Sequence, residues 1–290
     1  MSQRRSQRSI KFLMHLEPVS DADCVSFLQW SLPRLNLRWA GFRKVRRQVC
    51  KRLKRRIGEL GLHGLAEYRS HLEQNPEEWG RLDEFCRITI SRFYRDQGVF
   101  RILQDRVLPE LAEKAEAERR STIRVWCAGC ASGEEVYTLK ILWDLRMAAR
   151  FRTCQLSIVA TDVDKAMLSR AETACYEASS LRELPEALIA DAFEGEEDLY
   201  CVRARHKSGV TILEQDLRRE APAGPFDLVL CRYVAFTYFA LDLQKDALAR
   251  IESALGPNGI LVIGAHETLP GDGTRFEAFD GSLQIFRRRC

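Results

Sequence analysis

Apolar positions in the first 120 residues recur at steps of three and four, the period of helices with one buried face. The clearest stripe is Phe42, Val45, Val49, Leu53, Ile57 and Leu60, which predicts a helix over 41–60. Gly58 weakens that helix, and Gly61 supplies its C-terminal stop. Asp21 and Asp23 are the expected caps of an earlier helix through Phe27 and Leu28. Residues 64–72 read as another short helix, and Asn75-Pro76 opens one through Trp79, Leu82 and Phe85.

From about residue 121 the pattern changes. Apolar β-rich runs stand at Ile123–Trp126, Leu156–Ala160, Val210–Leu213, Phe226–Leu230 and Gly259–Ile263. Helical periods lie between most of them, over Glu134–Arg146, Lys165–Ala174 and Leu241–Leu255. Strand alternating with helix predicts an α/β domain with a parallel, Rossmann-like sheet covered on both faces. The final stretch, with Phe276 and then Ser282–Phe286 after turn-rich Pro270–Gly273, reads as a strand returning to that sheet. Residues 176–212 interrupt the alternation and read as a small antiparallel insertion, with Tyr200–Arg205 and Val210–Leu213 joined around Lys207-Ser208-Gly209. The expected organisation is an all-α N-terminal domain over 1–88, a connecting segment over 89–120, and the α/β domain over 121–290.

Composition narrows the class. With 46 % hydrophobic and 30 % charged residues, the 290-residue chain can bury a proper core and stay in water. Its longer apolar runs, such as the one around Ile260–Ala265, are far below the roughly 18 residues a membrane span needs, so no membrane insertion is expected. The basic N-terminus is followed by no apolar h-region, so no signal peptide is expected. Ten cysteines, mostly inside apolar patterns, then read as reduced thiols of a cytoplasmic protein. The net charge of +4 hides an asymmetry, because residues 1–58 carry 15 Lys/Arg against 3 Asp/Glu. That front end points to an anionic partner.

The strongest chemical signal is Ile123–Tyr137, a strand running through a small-residue loop with Gly129 and Gly133 into a helix. Small residues admit a ligand to the backbone, and a helix N-terminus offers free N–H groups. The loop is not GxGxxG, and Glu134-Glu135 suit a cationic ligand such as S-adenosylmethionine better than a pyrophosphate. Asp162, at the end of the next strand, stands where doubly wound folds bind a ribose diol. A nicotinamide cofactor would satisfy that same geometry. Cys127 and Cys130 form a CxxC, but no second CxxC and no His at ligand spacing accompanies them, so they are read as small loop residues and no metal is expected. His266, after the Ile260–Gly264 strand, is the one histidine expected near the site, in a structural or catalytic role.

Several stretches together resemble the CheR-type methyltransferases, which transfer a methyl group from S-adenosylmethionine to glutamate side chains of bacterial chemotaxis receptors. They are Ser91–Asp96 (SRFYRD), Trp126–Tyr137, Ala160–Asp164, Phe226–Arg232 (FDLVLCR) and Gly256–Glu267, in the family's order over nearly the whole chain. The resemblance implies that Arg95 lies against cofactor and acceptor, with Thr89 and Ser91 nearby. It places Glu135 and Asp162 at the amino-acid and ribose ends of the cofactor, with Gly129 in the loop between. Asp216 and Leu217 would flank the adenine, and Arg232 and Tyr233 would line the methyl-transfer side. The catalytic candidates are Arg95, Arg232 and Tyr238, and S-adenosylhomocysteine is the expected product.

The chain departs from the family at the acceptor side. Tyr233 stands where the family usually has Asn, and Arg232–Phe239 (RYVAFTYF) is one residue longer than the family's RNVxIYF. Tyr238 and Thr237 are both candidates for the family's active-site tyrosine. The expected partner is an acidic or glutamate-rich protein that meets the basic face over Arg43–Arg56, where nine of fourteen residues are Lys or Arg. Nucleic acid is disfavoured, because no aromatic stripe lies among those charges and no NPPY-like motif follows. A small-molecule carboxylate is the alternative acceptor. A non-catalytic cofactor-binding module is disfavoured by the retained Arg95, Glu135 and Asp162.

Overall fold

The structure, a computed structural model, describes residues 20–195, 199–271 and 275–289. It divides into two compact units, one of residues up to Ile88 together with Tyr238–Ala240, the other of Thr89–Thr237 and Leu241 onward.

The first unit is helical, with α1 over Asp21–Ser31, α2 over Arg46–Glu59, α3 over Leu65–Gln74 and α4 over Glu78–Phe85. The cap of α1 is Ser20, not Asp21 or Asp23. Ser20 Oγ accepts from the Asp23 N–H at 3.1 Å, and the Asp23 carboxylate takes the Ser20 N–H in return. Asp21 instead pairs with Arg46 at 2.7 Å. The helix expected over 41–60 is broken into a single turn at Trp39–Phe42 and then α2. At the break the Val45 N–H bonds three residues back to the Phe42 carbonyl at 3.1 Å, and the Arg46 guanidinium takes the Arg43 carbonyl at 2.7 Å. The buried stripe is Phe42, Val49, Leu53 and Ile57, while Val45 and Leu60 are half-buried. Gly61, at φ +71°, ends α2 as its position predicts.

Four basic residues of α2 are paired inside this unit, among them the exposed Arg55 with Glu59 at 3.6 Å. Besides Arg46, Arg52 donates to the carbonyls of Phe85 and Arg87, and Arg56 makes a fork to the buried Glu78 at 2.9 and 2.8 Å. Arg56 holds the Glu78 carboxyl below its ordinary range. Arg43, Lys44, Arg47, Lys51, Lys54 and Arg55 are exposed.

The second unit is built on a seven-stranded sheet. Its strands are β1 (Thr122–Ala128), β2 (Gln155–Asp162), β6 (Val210–Glu214), β7 (Phe226–Cys231), β8 (Leu255–Ile263), β9 (Phe276–Asp280) and β10 (Ile285–Arg288), in the order 6-2-1-7-8-10-9. The first five in that order run parallel; β10 and β9 are antiparallel. Near-continuous apolar β1, β7 and β8 lie in the centre, as strands covered on both faces must. The chain leaves β1 for β2 on one side and has β7 on the other, so the sheet's switch point opens at the carboxyl ends of β1 and β7.

A separate three-stranded sheet forms the insertion, with β3 (Cys175–Glu177), β4 (Phe193–Glu194) and β5 (Leu199–Val202) in antiparallel order 3-5-4. Val210–Leu213 does not belong to it, contrary to the 176–212 boundary. It is β6, the parallel edge strand of the main sheet, and Lys207-Ser208-Gly209 enters that strand rather than closing a hairpin. The expectation of reduced thiols throughout is also corrected: Cys24 pairs with Cys50, and Cys175 with Cys201 across β3 and β5. Among the described residues no helix is long and apolar enough to cross a membrane.

Candidate active site

At the carboxyl end of β1 the chain turns through Gly129 (φ +75°) and Gly133 (φ +90°) into α5, which spans Glu134–Leu142. The Gly129 and Cys130 N–H groups both donate to the Thr161 carbonyl at the end of β2, at 2.8 and 2.9 Å. A Cβ on Gly129 would lie 2.4 Å from Val234 Cγ2, so this glycine is required by the turn after β7. Cys127 and Cys130 are buried thiols whose pKa burial pushes well up, and neither is disulfide-bonded.

The two adjacent glutamates have different surroundings. Glu134 is buried and accepts the Ser132 hydroxyl at 3.0 and 2.9 Å. Glu135, half-buried, accepts Arg232 Nη1 at 2.5 Å. Asp162 ends β2 and is braced against the glycine loop, accepting the Ala131 N–H at 2.8 Å and the Asp164 N–H at 2.9 Å. Burial raises its pKa, and those N–H groups pull it back. The Gln215 N–H donates to the Asp162 carbonyl at 3.0 Å, which sets Asp216 and buried Leu217 beside that strand end. The Asp216 carboxylate is held by Arg218 through Nε and the backbone N–H.

Arg232 follows β7 directly and is the centre of the cluster. Its side chain is 2 % exposed and lies between two carboxylates, Glu135 and Asp96, the latter 2.6 Å from Nη2. Nη2 also donates to the Arg95 carbonyl at 3.0 Å, and Nε is buried with no partner. Tyr233 donates its hydroxyl to Asp96 at 2.6 Å, and the Arg95 guanidinium stacks 4.0 Å over its ring. Burial works against the Asp96 charge, but Tyr233 and Arg232 outweigh it and hold that carboxyl below its ordinary range. Tyr94, Asp96, Ala131 and Tyr233 all have positive φ, a concentration of unusual backbone typical of functional sites.

The structure therefore brings together Arg95, Glu135, Arg232 and Tyr233, with Gly129 on the adjoining loop and Asp162 at the end of β2 against that loop. Thr89 and Ser91 lie in the irregular stretch before Phe93, outside these hydrogen bonds. Tyr238 groups with the first unit, where its ring stands 5.0 Å from Phe42 and its carbonyl accepts the Arg38 N–H. Thr237 donates its hydroxyl to Glu267 at 2.5 Å. His266 is exposed, whereas its neighbour Glu267 is buried. Nothing in the sequence marks Asp96 or Glu267 for a role, although both lie within the family-like stretches Ser91–Asp96 and Gly256–Glu267.

Residues 89–285 match the family described as "CheR methyltransferase, SAM binding domain". The chain belongs to the CheR methyltransferase family. It is 33 % identical over 233 residues to the chemotaxis protein methyltransferase of Salmonella typhimurium, covering 77 % of this chain and 76 % of that protein. The corresponding Listeria innocua protein is 31 % identical over 191 residues, 65 % of this chain and 70 % of the other. An uncharacterised 104.1 kDa protein of Rhodobacter capsulatus is 31 % identical over 221 residues, and the match spans 76 % of this chain but 23 % of that longer protein. As a CheR-family methyltransferase the chain uses S-adenosylmethionine. Its side chains suit that cofactor: the Glu135 and Asp162 carboxylates stand beside the glycine loop, and Arg232, paired to Glu135 and Asp96 through Nη1 and Nη2, keeps a buried Nε with no hydrogen-bond partner.

Proposed function

We propose that this chain transfers the methyl group of S-adenosylmethionine to a glutamate side chain of a chemotaxis-receptor-like protein, giving a methyl ester and S-adenosylhomocysteine. The observation that carries this reading is the Arg95–Asp96–Arg232–Glu135 cluster at the carboxyl ends of β1 and β7, inside the region that matches the family. Glu135 would hold the ammonium of the cofactor, Asp162 the ribose hydroxyls, and Asp216 with Leu217 the adenine. Bound there, S-adenosylmethionine supplies an electrophilic methyl group on a sulfonium sulfur.

A glutamate acceptor is already ionised at neutral pH, so the protein needs no general base for it. Its task is to align the carboxylate and remove water from it. Arg95 suits the first, because a guanidinium presents paired donors to a carboxylate. Its stack on Tyr233 orients the guanidinium plane, while its Nη1 donates to the Ile90 carbonyl at 3.0 Å. The exposed Arg43, Lys44, Arg47, Lys51, Lys54 and Arg55 would meet the acidic acceptor.

The test is incubation of the protein with S-adenosylmethionine labelled in the methyl group and a cytoplasmic chemoreceptor fragment with glutamates at its methylation positions. Base-labile label on the fragment, lost when those glutamates become glutamines, is the expected result. A chain that binds the cofactor but labels only small carboxylic acids would overturn the protein-acceptor reading.

A further inference from the structure

Glu267 is a buried carboxylate for which the methyl-transfer chemistry has no use. It lies four residues beyond β8, and its side chain reaches back to the turn after β7. Oε2 accepts the Gly264 N–H at 2.6 Å and the Tyr233 N–H at 3.0 Å, and Oε1 accepts the Thr237 hydroxyl at 2.5 Å. The Glu267 N–H donates to the Gly264 carbonyl at 2.9 Å, closing its own turn. Both carboxylate oxygens are thus engaged by donors from two segments, which is the arrangement of a clamp and not of a proton acceptor.

What it clamps is strained. Tyr233 has φ +59°, a left-handed conformation that bulky residues avoid. The ring is seated where Gly264 leaves room, since a Cβ on Gly264 would lie 2.6 Å from Tyr233 Cε1 and 2.8 Å from Glu267 Oε2. The Ala265 N–H also donates to the Tyr233 hydroxyl, at 3.2 Å. From this turn Arg232 projects to Glu135 and Asp96, and Tyr233 supports Arg95. Strain of this kind persists only where the surroundings over-determine the backbone.

We infer that Glu267 is a positioning residue: it locks the left-handed Arg232–Tyr233 turn onto the end of β8 and so holds Arg232 between Glu135 and Asp96. The inference rests on the cofactor site proposed above. Glutamine can reproduce the clamp, its carbonyl accepting the two N–H groups and its amide donating to the Thr237 oxygen. Methionine fills similar space and offers no acceptor.

The experiment uses the full chain, with S-adenosylhomocysteine as the probe in calorimetry and hydrogen exchange followed on peptides covering 229–237 and 260–268. Glu267→Gln should bind within about threefold of wild type. Glu267→Met should lose at least about tenfold, the loss expected for a hydrogen bond to a charged group, and should exchange faster at Tyr233 and Gly264. A folded Glu267→Met protein with unchanged affinity and exchange would overturn the inference. So would a Glu267→Gln protein as impaired as Glu267→Met, which would make charge rather than geometry the cause. If Glu267→Met does not unfold cooperatively, Thr237→Val decides: unchanged affinity and exchange refute the clamp, and weakening with faster exchange supports it. Failure of wild type to bind the probe would refute the cofactor-site reading alone, and exchange at Tyr233 and Gly264 would then decide the clamp.

Discussion

Replacing Arg232 by Met tests whether the centre of the site is an electrostatic assembly. The substitution keeps much of the aliphatic volume and removes the charge between Asp96, at 2.6 Å, and Glu135, at 2.5 Å. Two carboxylates would remain close together without their common cation. Removing one partner of a buried ion pair costs about 3–5 kcal/mol. Asp96 and Glu135 keep 32 % and 19 % of their side-chain exposure, so water screens part of the loss and the lower end, about 3 kcal/mol, applies here. For a unit of this size that is a fall in Tm of roughly 6–12 °C. Urea denaturation at pH 7 measures the loss directly. Adding Asp96→Asn and Glu135→Gln to Arg232→Met should restore much of it, because the penalty lies in the stranded charges.

Acid should narrow the difference as well. Tyr233 and Arg232 hold the Asp96 carboxyl below its ordinary value despite burial. Its stabilising share is therefore complete above the unfolded value of about 3.9 and disappears as the pH falls through the lower, folded one. An Arg232→Met protein within about 0.5 kcal/mol of wild type at pH 7, the range of a neutral surface change, would refute the reasoning.

Asp162→Ala should weaken S-adenosylmethionine binding by at least about tenfold through lost ribose hydrogen bonds; calorimetry on the folded variant checks it, and unchanged affinity would move the site elsewhere. Arg95→Lys keeps the charge but loses the fork, so turnover should fall much more than cofactor affinity does; equal turnover would make Arg95 structural. Reversing Arg47 and Lys54 to Glu should raise KM for an acidic receptor fragment, more at low salt than at high, and leave cofactor binding alone. Normal methylation by that double variant at low salt would leave the basic face without a docking role.

Local pattern made much of the architecture legible. The central strands β1, β7 and β8 are apolar runs between helical periods, and Gly61 stops α2 where the apolar stripe ends. What local pattern lacks is any record of distant partners. Nothing in the spacing of Arg46 announces that it will take the Arg43 carbonyl and Asp21. Cys24 and Cys50, or Cys175 and Cys201, look like ordinary buried thiols until the fold places each pair side by side. The edge strand β6 escapes local pattern for a different reason. Its residues are largely exposed, and with a glycine turn before them they look the same as half of a hairpin.

The acceptor side shows the same limit at a single residue. Asn is among the residues that tolerate positive φ, and the resembling family usually has it at the position of Tyr233. A tyrosine there forfeits that tolerance, so its backbone must be held from outside. Glu267 takes its N–H, Asp96 takes its hydroxyl, Gly264 yields space for the ring, and Arg95 covers its face. Each of these residues is visible in the sequence, yet their connection to one another exists only once β7 and β8 lie side by side. The departure from the family pattern is therefore better understood as a substitution with its supports in place than as loss of the site. It also explains why Gly264 and Glu267 belong with Tyr233: enlarging the first or removing the second should disturb a turn that an Asn would hold with less help.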